Sequence, residues 1–175
     1  MENLEKKGIR KVFDPIKTNF CFYWKIYGGK KALFSSPYLY IALGLALISP
    51  KFVSGQWHNL AITIIPNMLG FTLGGYAILL SFGGERFFKI LCIRCADEST
   101  PTPFMIFNGA FVHFIIVQIT TLLLSVLCSQ YEKTWILVGF IGTFLLYYTL
   151  TTALAAVFAI MNMADWYEDQ ANNEL

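Results

Sequence analysis

Four long stretches of this chain contain no Asp, Glu, Lys or Arg, and nothing else in the sequence limits the fold so strongly. An α-helix needs about 20 apolar residues to cross the ~30 Å hydrocarbon layer of a bilayer. The stretches place candidate spans at about 34–53, 60–82, 104–128 and 135–161. The first is the weakest, because its apolar run is short and Ser49-Pro50-Lys51 interrupts its far end. Backbone groups in lipid have no water to bond, so such spans must be helical. The short alternation of apolar and polar residues that marks a membrane β-barrel is absent. Composition agrees: 56% of the residues are hydrophobic and 14% charged, against about 45–50% and about 25% in soluble domains. The expected fold is an all-α membrane protein of four transmembrane helices, preceded by an amphipathic interfacial helix.

Orientation follows from the basic residues. Lys6, Lys7, Arg10, Lys11, Lys17, Lys25, Lys30 and Lys31 precede the first span, and Arg86, Lys89 and Arg94 lie between the second and third. The two opposite loops hold only Lys51 and Lys133. The positive-inside bias puts the richer side, and with it both termini, in the cytoplasm. Tyr38, Tyr40 and Trp166 then fall near the inner interface, and Trp57, Tyr131 and Trp135 near the outer one. The first forty residues hold no apolar core followed by a small-residue cleavage site, so no cleavable signal peptide is expected and the first span should direct insertion.

Residues 1–33 form a basic arm. Within it Asp14 and Pro15 suit a helix start, and Gly28-Gly29 suits a helix end. Between them Ile16, Phe20, Tyr23, Trp24 and Tyr27 share one helical face, with Lys17 and Lys25 off it. An aromatic face flanked by lysines reads as a helix in the membrane surface; it can also pack on the cytoplasmic ends of the spans. After the second span, Glu85 and Lys89 make a favourable i,i+4 pair for a short helix that Asp97–Pro103 would break. Residues 162–175 form an acidic tail, in which Asp165, Trp166, Tyr167, Glu168 and Asp169 offer a surface for the basic arm or for a soluble partner.

Candidate chemistry is sparse. Cys92 and Cys95 have C-x-x-C spacing, but a structural zinc needs four ligands and Cys21 and Cys128 are poorly placed to supply them. Two reduced thiols are the expected state, with no cofactor and no metal. His113 is the one ionisable residue expected deep in a span. Such residues are often functional, yet no carboxylate accompanies it, which favours a bond to a neighbouring helix. Asn67, Asn108, Gln118, Thr120, Thr121, Thr143, Thr149, Thr151 and Thr152 add polarity within the spans. They serve either helix-to-helix bonding or a water-filled path. Asn108, His113 and Gln118 do not align on one helical stripe, which weakens a pore along the third span. No phosphate loop, G-x-S-x-G or H-E-x-x-H occurs, so an enzyme is not expected.

Gly70, Gly74, Ala77 and Ser81 give the second span one smooth face containing G-x-x-x-G. Such faces let helices approach closely and mark association surfaces, so a homo-oligomer is expected. Pro66-Asn67 precedes the face and can kink the helix.

The block from Pro66 to Arg86, together with the short four-span layout, resembles the membrane subunit of the bacterial Kiwa anti-phage defence system. That resemblance implies a small oligomeric inner-membrane sensor, taken as a tetramer, that passes a signal to a soluble cytoplasmic DNA-binding subunit. It implies no catalytic residue and no direct nucleic-acid contact by this chain. The rival expectation is a small channel or pore-forming effector that depolarises the cell; a small-molecule transporter ranks third.

Overall fold

The computed structural model describes residues 2–50, 55–82, 84, 89, 101–131 and 135–173. Among them all regular structure is helical: α1 (Glu2–Tyr27), α2 (Gly29–Ser35), α3 (Pro37–Ile48), α4 (Trp57–Phe82), α5 (Pro103–Cys128) and α6 (Ile136–Asn173). Three of these, α4, α5 and α6, are long and apolar enough to cross a membrane; a fourth crossing exists if the bent pair α2–α3 counts as one span. The chain therefore has a multi-span, all-α membrane fold.

The stretch expected as one span over 34–53 is two helices meeting at 53°. The cause is local. Pro37 has no N–H to continue the ladder, and the residue before a proline is driven out of the helical region. Ser36 accordingly sits at φ −74°, ψ 120°. The Tyr40 hydroxyl donates to the Phe34 carbonyl at 2.8 Å across the break. At the other end of α2, Gly28 and Gly29 take φ +94° and +62°. A Cβ on Gly28 would lie 2.9 Å from that of Ala32, so this turn requires glycine.

α1 begins at Glu2, upstream of Asp14, and carries Pro15 in its interior. α5 starts on a cap: Pro103 occupies the first turn, and the Thr102 hydroxyl accepts from the Met105 N–H at 3.3 Å. The 38 residues of α6 make it ~57 Å long. That exceeds the hydrocarbon layer, so the acidic tail through Asn173 is the continuation of one rod.

α5 and α6 form the centre of the bundle, with α3 packed on α6 and α4 on α5. Among the described residues, three apolar clusters hold it. Phe107, Phe111 and Phe114 of α5 meet Ala156 and Met163 of α6. Trp57, Ala61 and Ile65 of α4 meet Cys128 and Leu146. Ala42 of α3 meets Val117 and Tyr148. Trp57 thus departs from its expected place in an outer aromatic belt. It is fully buried, because Gly142 leaves its indole a seat on α6. Tyr131 and Trp135 are exposed.

Polar residues in the bundle bond across helices. Thr121 and Thr149 share a hydrogen bond of 3.0 Å between α5 and α6. Gln118 Nε2 donates to Thr72 Oγ1 at 3.2 Å, and the Tyr76 hydroxyl donates to Asn108 Oδ1, both tying α4 to α5. Thr151 donates to the Tyr38 carbonyl at 3.1 Å, and Tyr147 donates to Ser49 at 3.3 Å, tying α6 to α3. Without a hydrophobic drive between helices in lipid, such bonds and close packing are what associate them.

Candidate functional site

Where α1 crosses α5, four side chains from three helices converge. Gly109 permits the crossing: a Cβ there would meet Ile26 Cγ2 at 2.7 Å. One turn further along α5, His113 faces α1. Its Nδ1 lies 2.6 Å from the Tyr23 hydroxyl, and its Nε2 lies 2.8 Å from the Tyr148 hydroxyl of α6. Tyr27 stacks on the imidazole, with ring centroids 3.9 Å apart and planes inclined by 14°. Tyr23, His113 and Tyr148 are all buried. The result is a clasp that holds the arm to the two central helices.

The hydrogen-bond polarity of the clasp follows the imidazole tautomer. A neutral imidazole has one N–H and one lone pair, so one tyrosine donates to His113 and the other accepts from it. An imidazolium would need both phenols to accept, and each hydroxyl proton would then need a new partner. The ring can therefore hold or relay one proton between two phenols. Among the described residues no group of His, Cys, Asp and Glu is arranged to hold a metal ion. Cys92 and Cys95, the Glu85 end of the Glu85–Lys89 pair, and Asp97–Thr100 lie outside the described residues.

The expected interfacial face divides at this point. Tyr23 and Tyr27 enter the clasp, and Trp24 is half-buried beside Gly29. Ile16 and Phe20, nearer the arm's start, are exposed, as is Phe22 on the other flank.

The remaining expected site residues sit elsewhere. Gly70, Gly74, Ala77 and Ser81 are all exposed on α4, and among the described residues nothing packs against either glycine of the pair. Beside them an open apolar groove of about 640 Å³ runs between α4, α5 and α6, bordered by Phe71, Thr72, Tyr76, Phe111 and Ala156. In the tail, Trp166 packs against the Phe107 and Met163 cluster and Tyr167 is half-buried, while Asp165, Glu168 and Asp169 are exposed.

No family model, curated protein or solved structure matches this chain. The candidate site rests on its own geometry.

No motif in the sequence marks Tyr148, Gly109 or Gly142 as contact residues. One signal was available for Tyr148. A phenol in the middle of an apolar span needs a polar partner, and His113 was the conspicuous one. For the glycines no sequence signal separates a contact point from the exposed Gly70 and Gly74.

Replacing Gly109 with leucine is expected to lift α1 off α5 while leaving α4 to α6 assembled. Hydrogen exchange should show faster exchange of the amides of residues 20–27, with no change in residues 112–127.

Proposed function

We propose that the chain is an oligomeric inner-membrane sensor or scaffold subunit that binds a soluble cytoplasmic effector, as its resemblance to the Kiwa membrane subunit implies. In this reading it crosses the membrane four times with both termini in the cytoplasm. The bent α2–α3 pair supplies the first crossing, and the positive-inside bias sets the direction. The observation that carries the reading is the clasp. It connects a basic cytoplasmic arm to the two helices at the centre of the bundle, one of which, α6, continues as the acidic tail. A displacement within the membrane would then reach both cytoplasmic elements at once. The effector would do the nucleic-acid binding and any chemistry, and this chain would act as neither enzyme nor cofactor carrier.

Oligomerisation is assigned to the exposed α4 face. Gly70 and Gly74 have nothing packed on them among the described residues, so leucine at both positions should leave the protomer folded and separate the subunits. Native mass spectrometry in mild detergent is expected to show an oligomer, a tetramer by the resemblance, and monomer for the double variant. Only monomer for the unaltered chain would remove the oligomer from the proposal. Effector binding is tested by gentle-detergent purification during phage challenge, which should retain a soluble DNA-binding protein.

The buried polar residues Gln118, Thr121, Thr143 and Thr149 motivate the second reading, a pore-forming effector. A membrane-potential dye separates the two: unchanged potential on activation removes the pore, and collapse of the potential removes the scaffold as sole function.

A further inference from the structure

We infer that the exposed half of the arm is a docking surface for anionic phospholipid headgroups. The inference rests on the spanning topology proposed above and adds a lipid class to it. Four exposed lysines, Lys17, Lys25, Lys30 and Lys31, line residues 14–31, against one exposed acid, Asp14. The exposed Ile16 and Phe20 lie on the same helical line as the docked Tyr23 and Tyr27, but beyond the contact with α5. At 100° per residue, Lys17 and Lys25 fall roughly 100° and 180° around the helix from Ile16. Ile16 and Phe20 thus centre on one side of the rod and Lys17 and Lys25 lie off it, with the exposed Phe22 on the far flank of Lys25, an arrangement compatible with a helix along a bilayer surface.

Depth supports the same assignment. α1 crosses α5 at Gly109, six residues beyond the start of that helix at Pro103, which is ~9 Å along its axis. A surface helix sits about 5–10 Å into the boundary between headgroups and acyl chains. The Gly109 contact thus sets the Ile26 end of α1 at that level, while His113 lies ~15 Å along α5, and lysine stems reach outward to the headgroups. The charge match selects the headgroup. A zwitterionic surface gives the four ammonium groups no net attraction, whereas each lysine at an anionic surface is worth roughly a fivefold gain in association.

The test uses the full chain in nanodiscs, one set of phosphatidylcholine and one of equal parts phosphatidylcholine and phosphatidylglycerol, read by hydrogen exchange. Amides of residues 14–27 are expected to exchange about tenfold more slowly in the anionic discs. The difference should vanish in the Lys17→Gln, Lys25→Gln, Lys30→Gln, Lys31→Gln variant and shrink with added salt. Equal exchange in both discs, with α4 to α6 protected in each, overturns the lipid assignment alone. Free exchange of α5 and α6 overturns the spanning topology as well. A second variant, Asp165→Asn, Glu168→Gln, Asp169→Asn, addresses the chain's own tail as the occupant: loss of arm protection there, irrespective of lipid, overturns the proposal, and retained lipid dependence supports it.

Discussion

Leucine in place of Gly142 is expected to leave no folded protein, and alanine is expected to cost about 3 kcal/mol, the upper part of the range for overpacking a filled core. A Cβ at Gly142 would lie 2.1 Å from the Trp57 ring. The indole is fully buried and cannot move aside without dismantling the cluster with Ala61, Ile65, Cys128 and Leu146. Its Nε1 has no hydrogen-bond partner among the described residues, so shape fixes this contact. Trp57→Ala alone should also destabilise, by about 3–5 kcal/mol through the cavity it leaves. In the double variant the two effects should add to much less than their sum, since the alanine methyl then enters vacated space. Thermal unfolding in detergent measures all three; an unchanged midpoint for Gly142→Ala would show that the indole does not sit on α6.

His113→Phe carries the second-largest effect. It keeps a flat ring for Tyr27 to stack on and removes both hydrogen bonds, leaving the buried Tyr23 and Tyr148 hydroxyls without the histidine. A buried unsatisfied group costs roughly 1–3 kcal/mol. Hydrogen bonds between membrane helices average nearer ~0.6 kcal/mol, so a total of about 2 kcal/mol is expected. The functional consequence is larger than that number, because the loss falls on the joint between arm and bundle. Exchange at residues 20–27 should quicken while α4 stays protected. Tyr23→Phe removes one of the two bonds and should give about half the effect; no effect from either variant would mean that Ile26 and the Tyr27 stack hold the arm without the clasp.

Those two sites show how far the sequence could be read. The long charge-free stretches marked α4, α5 and the start of α6, since in lipid only a helix satisfies its own backbone, while α6 runs on past residue 161 to Asn173. The first span was legible as doubtful from its short run and from Ser49-Pro50-Lys51, but the break falls at the other end, at Ser36-Pro37, where proline interrupts the ladder. The aromatic face at 16–27 was readable from its spacing, but spacing cannot say which residues are covered. Tyr23 and Tyr27 are covered because Gly109 admits α1 there, and that is a tertiary fact. Trp57 misled for the same reason. A tryptophan at the start of a span resembles an interfacial anchor until the glycine opposite it is known.

The number of crossings is decisive, because the bent α2–α3 pair either spans the membrane or does not. Single cysteines at Lys17, Tyr131 and Asp169, each in a background with the native cysteines replaced by serine, can be labelled with an impermeant maleimide before and after the envelope is opened. Four crossings with cytoplasmic ends predict that Lys17→Cys and Asp169→Cys react only after the inner membrane is breached, and that Tyr131→Cys reacts once the outer membrane alone is permeable. Labelling of Lys17→Cys and Asp169→Cys from opposite sides would contradict it: the chain would cross three times, and arm and tail could not meet the same cytoplasmic partner.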